Sequence, residues 1–174
     1  MKKLLLILVA ACLLPFTKAF ATEAEDANEA ARLMTKAEKL YKKHMYLEAM
    51  DSATLAYRTS PKSVAARTFI YKHWDQTIRF ATALLESHSE VEKLADSRVR
   101  FQTYRLLMSI NDNLQASPLP LRGNYDKWVW MPEMQYWDGY YYEEKKRLKR
   151  LEAEFEAEQQ ALEAEVEEPL NNNQ

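Results

Sequence analysis

The chain has 174 residues, with 24 Lys and Arg against 26 Asp and Glu, a formal net charge of −2 and 47% hydrophobic side chains. That length suits one domain with an appendage, and the absence of a positive excess argues against nucleic acid as a partner, because phosphate recognition needs concentrated positive charge. Only two glycines, Gly123 and Gly139, are present, which excludes glycine-rich phosphate loops and dinucleotide fingerprints.

At the amino terminus Lys2 and Lys3 precede the apolar run Leu4 to Leu14, and Ala19-Phe20-Ala21 offers small residues where a signal peptidase reads. Residues 1–21 are therefore expected to be a secretory signal, and the run is short for a membrane span. An alternative is a lipoprotein signal, in which Val9-Ala10-Ala11-Cys12 resembles a lipobox and Cys12 carries the lipid. Cleavage after Ala21 would remove the one cysteine, leaving no disulfide, thiol nucleophile or cysteine metal site. Loss of Lys2, Lys3 and Lys18, with no acidic residue, takes the 24 basic side chains to 21 against 26 acidic ones, a formal charge of minus 5.

From Glu29 to Ser63 the sequence predicts two short helices and a tight turn. Leu33, Ala37, Leu40 and Tyr41 recur at three- and four-residue spacing opposite Lys36, Glu38 and Lys43, so the first helix has one apolar face. Asp26 or Asn28 is its expected cap. A second helix near Leu47 places Ala49, Ala53 and Ala56 on one face, where small side chains let helix backbones approach closely. These residues resemble a tetratricopeptide repeat over Ala30 to Ser63: Tyr46 sits at the turn aromatic, Ala49 and Ala56 at the two small positions, and Pro61 at the closing proline. His44 stands where the family usually has its turn glycine. The resemblance implies a stacking partner for the hairpin and a protein-binding groove lined by Ala31, Met34, Glu38, Tyr41 and Lys42. A second copy placed over Val64 to Ser97 keeps Ile70, Tyr71, Trp74 and Ala83 in position, but Thr77-Ile78-Arg79-Phe80 stands where its turn should be, so a single or degenerate repeat is expected.

After Pro61 a longer helix is predicted from about Lys62 to Glu86, with Ile70, Trp74, Ile78, Ala81 and Leu85 as its stripe. Ser89 and Glu92 have the form of a capping box, and the next helix is expected to reach about Ala116 with a broad apolar band, as in the middle of a bundle. Pro118 and Pro120 exclude regular helix. Residues 117–131 are expected to be an extended, aromatic connection, with Pro132 in the first turn of a final charged helix over 132–168 and a disordered tail over 169–174.

Eight rings from Tyr125 to Tyr142, including Trp128, Trp130, Trp137 and Tyr141, are the densest unusual feature. They suit an internal plug, a protein interface or stacking on sugars. The last helix then carries five basic residues between Lys145 and Arg150, followed by eight glutamates and no base. Trp137, Tyr141, Leu148, Leu151, Phe155, Leu162 and Val166 form an approximate heptad stripe, interrupted by Glu144 and Gln159, which allows a weak antiparallel homodimer. His44, His73 and His88 are scattered without metal-ligand spacing, and no serine has a nucleophile context.

The expected fold class is all-α: a tetratricopeptide-like hairpin extended by two longer helices into a bundle, plus a long charged helix. The expected function is a non-catalytic, exported protein-interaction or scaffolding module of a bacterial cell envelope, periplasmic or secreted, with a protein partner, no nucleic acid, no cofactor and no metal. Membrane attachment is expected only through Cys12. One alternative is a peptidoglycan-binding accessory factor using Trp128, Trp130 and Trp137, and a third is an enzyme whose site is assembled from dispersed residues.

Overall fold

A computed structural model describes residues 23–90, 92–119 and 123–171, with side chains described for 136–163 of the last stretch. The signal-peptide and Cys12 expectations lie outside the described residues. The protein is an all-α helical bundle, with no strand among those residues. Its helices are α1 over 23–42, α2 (Tyr46–Thr59), α3 (Val64–Ser87), α4 (Leu94–Ala116) and α5 (Gly123–Asn171). None that is described is long and apolar enough to cross a membrane.

The chain forms two compact units: residues up to Thr77 with Ser109–Pro120, and Ile78–Met108 with Leu121 onward. In the first, α1 is already helical at residue 23, so Asp26 and Asn28 lie inside it rather than capping it. Its end is built by backbone chemistry. Met45 N–H donates to the Leu40 carbonyl at 3.1 Å and His44 N–H to the Tyr41 carbonyl at 3.0 Å. This crossed pair is a Schellman motif, which satisfies carbonyls that the helix itself leaves open. The motif requires a left-handed residue, and His44 supplies it with φ of 62°. Leu33, Ala37, Ala49, Met50, Ala53 and Ala56 are buried, the last five completely, so the alanines do bring the two helices together.

Pro61 lies in the turn after α2, and Ser63 caps α3 by accepting the Ala66 N–H on its Oγ at 3.3 Å. The end of α4 lies along α2 in register: Ser109 Oγ donates to Asp51 Oδ1 at 2.6 Å, and Asn113 Nδ2 to Thr54 Oγ1 at 3.3 Å. Buried polar side chains are tolerated here because they pair with one another.

In the second unit α4 and α5 run antiparallel, Tyr104 stacking on Tyr140 and Phe101 on Tyr141, each pair with ring centroids 5.6 Å apart. Several boundaries differ from expectation. α4 begins at Leu94, with the Lys93 carbonyl accepting the Ser97 N–H at 2.9 Å, so Ser89 is not its cap. Glu92, the other half of the expected capping box, instead accepts from Arg150 at 2.6 Å. α5 begins at Gly123, not Pro132, so 123–131 are helical rather than extended. A proline removes one amide hydrogen bond and crowds the preceding turn, but in a helix of 49 residues the hydrogen bonds on either side carry the helix through. It also passes Pro169 to end at Asn171, where a disordered tail was expected.

Candidate functional site

The aromatic run of α5 produces a groove in the second unit. Ile78, Ala81, Thr82 and Leu85 of α3, Leu107 of α4, and Tyr136, Trp137 and Tyr140 of α5 line a depression of about 250 Å³. Helical spacing explains the set. Ile78, Ala81 and Leu85 recur every three or four residues on α3, and Tyr136, Trp137 and Tyr140 fall within one turn of α5. Leu107 and Trp137 are buried at 2% and 8%, whereas Tyr136 and Tyr140 remain 63% and 49% exposed. Thr82 is also exposed. The groove therefore has an apolar floor and a wet, hydroxyl-bearing rim.

The rim is held from behind. Tyr140 stacks on Tyr104, whose ring lies 5.8 Å from the Arg100 guanidinium carbon. Burial pushes the Tyr104 phenol above its ordinary value, so it stays protonated and donor-competent. One turn further along α5, Glu144 is 1% exposed. Its carboxylate accepts from Ser97 Oγ at 2.8 Å, Arg100 Nε at 3.2 Å and Arg147 Nη1 at 2.6 Å. Arg100 continues to the Leu85 carbonyl at 3.3 Å, linking the three helices around one buried anion. Glu144 thus anchors the heptad stripe that it was expected to interrupt.

The residues expected to bind separate into groups. Trp137 forms the groove floor. Tyr141, by contrast, is half-buried between Phe101 and Tyr142, with Lys145 Nζ 5.8 Å from its ring centre. It serves helix packing and is not a free platform. Trp128 and Trp130 lie where side chains are not described. In the first unit, Ala31, Glu38 and Lys42 are exposed, but Met34 is 6% exposed and belongs to the core. Its position four residues after the buried Ala30 and three before the buried Ala37 places it on the packed stripe rather than on a groove. Tyr41 is half-buried: its ring centroid is 4.0 Å from that of His73 and 5.6 Å from that of Phe69, and its hydroxyl donates to Gln76.

In the sequence nothing distinguishes Tyr136 and Tyr140 from the other six rings, and Ile78, Thr82, Leu85 and Leu107 carry no signal of a site. A helical projection of α5 would have shown Tyr136 and Tyr140 on one strip; the α3 and α4 walls require tertiary contact. Among the described residues no group of three or more His, Cys, Asp or Glu side chains is placed to hold a metal ion. No protein-family model matches this chain, and no curated protein or solved structure matches it.

Proposed function

We propose that this protein is an exported protein-interaction module of a bacterial cell envelope, whose second-unit groove receives one or two apolar side chains of a protein partner. The observation carrying this reading is an apolar floor beneath two tyrosines that remain largely exposed. Binding energy at protein interfaces concentrates where an apolar anchor enters a desolvated pocket rimmed by Tyr, Trp or Arg.

The α1–α2 hairpin supports the same class of function as a tetratricopeptide-like unit. His44 adopts the left-handed conformation at the position where that family uses glycine, and Ala49 and Ala56 are fully buried. Export rests on the sequence of residues 1–21.

Photocrosslinking in the source cell, with the probe at the exposed rim residue Tyr136 and a control at exposed Lys39, tests the reading. A discrete protein adduct confined to the Tyr136 probe is expected. Glycan adducts alone would instead favour wall binding, and equal labelling at Lys39 would remove the groove from the account.

A further inference from the structure

The face by which α5 packs in the second unit continues beyond its partners. Leu151 is 7% exposed and marks the end of the covered stripe. Glu92–Arg150 at 2.6 Å and Arg98–Glu152 at 3.4 Å are the ion pairs furthest along α5 from the α4 side among the described residues, and α3 has ended at Ser87. Every residue from 153 to 163 is exposed. On this stretch Phe155 and Leu162, one heptad apart and in line with Leu148, are 48% and 51% exposed. Beyond the packed interface the stripe therefore continues as two exposed apolar side chains, Phe155 and Leu162, with Glu158 and Gln159 between them, and no other element covers them among the described residues.

The strip is flanked by one sign of charge. Glu156, Glu158 and Glu163 lie along it beyond Glu152 and Glu154, which pair with Arg98 and Arg150, and no Lys or Arg follows Arg150 in the sequence. Acidic groups toward a helix carboxyl end oppose the macrodipole, so positive charge brought from outside would relieve both the mutual repulsion and the dipole. A second copy is poorly equipped to bring it as a helix. The inner face of the basic stretch of α5 is already used: Glu144 and Leu151 are buried, Arg147 donates to Glu144 at 2.6 Å and Arg150 to Glu92 at 2.6 Å, so the exposed Lys145, Lys146 and Lys149 have no free apolar stripe beside them to lay on the strip.

We propose that the α5 stretch from Glu152 to Glu163 is a docking surface for a basic amphipathic helix of another protein, which lays apolar residues on Phe155 and Leu162 and sets Lys or Arg against the flanking glutamates. This surface is separate from the groove, and its test does not depend on it.

The test titrates the full chain with a fluorescent helical peptide of about 20 residues, Leu at a and d and Lys or Arg at e and g, against the same peptide with Glu at e and g. Saturable binding of the basic peptide is expected, weakening about tenfold between roughly 50 and 300 mM salt because flanking charges are screened. Phe155→Asp with Leu162→Asp should weaken it at least about tenfold, whereas Phe155→Leu should retain it. An unchanged circular dichroism melting curve for the double variant would show that the loss is local. Equal binding of the acidic peptide, or basic-peptide binding that survives the double variant, would overturn the proposal. So would sedimentation showing a dimer of the chain alone that Phe155→Asp dissolves, since a second copy would then be the occupant.

Discussion

At the residue scale, two side chains carry unusual demands. His44 meets the left-handed φ at the end of α1 without being glycine, and such a conformation costs an L-residue roughly 1–2 kcal/mol. Its ring partly offsets this, Nδ1 lying 2.8 Å from the Tyr46 hydroxyl. His44→Gly is therefore expected to be more stable than His44→Ala by about 1 kcal/mol in urea unfolding, and equal stabilities would contradict the Schellman assignment. Glu144 is the opposite case, a buried anion between two guanidiniums. Replacing it by Gln leaves two cations facing one another at low exposure, a change expected to cost about 3 kcal/mol. Chemical denaturation measures this directly; a cost comparable to that of an exposed ion pair would mean that the carboxylate is solvated. His73 adds a pH dependence. Burial, followed by the charge of Lys72, lowers its pKa below the ordinary 6.5. Between that value and the lower folded one, the unfolded chain binds a proton that the folded chain does not, so this contribution to stability falls as pH drops below 6.5 and is flat above it. His73→Gln should reduce the slope of stability against pH in that window.

At the element scale, much was legible because helices declare themselves locally. The Leu33–Ala37 and Ala49–Ala53–Ala56 spacings placed the α1–α2 contact, Pro61 marked the turn, and Pro118 marked the end of α4. Boundaries failed where a local signal competed with tertiary contact. Ser89 and Glu92 look like a cap in sequence, yet Glu92 pairs with Arg150, which lies 58 residues away in the chain. Pro132 looks like a first-turn residue, yet a long helix accepts the loss of one hydrogen bond. Glu144 looked like a flaw in a heptad because Ser97 and Arg100, the groups that bury and satisfy it, come from α4. One element-level change should be straightforward. A Cβ at Gly139 of α5 would meet nothing within 4 Å, so Gly139→Ala is expected to stabilise the protein by about 0.5–1 kcal/mol through helix propensity alone. A shift of the urea midpoint to higher concentration checks it; destabilisation would mean that α5 is not helical there in solution.

At the scale of the whole molecule, the sequence conveyed the all-α class but not the groove. Composition and period reveal that aromatic rings exceed what one small core needs. They do not reveal which rings become floor, which become rim, and which, like Tyr141, are used up in packing. That partition depends on α3 and α4 arriving beside α5. The functional account rests on the groove itself, so the most direct test fills it without disturbing the core. Thr82 lines the groove and is exposed, and Thr82→Trp would occupy the space meant for the partner's anchor. The measurement is the yield of the protein adduct from the Tyr136 probe in the Thr82→Trp background, with the melting curve unchanged. A fall of at least about tenfold is predicted, as for a filled hot-spot pocket; an adduct that forms equally well with the groove filled would contradict the account.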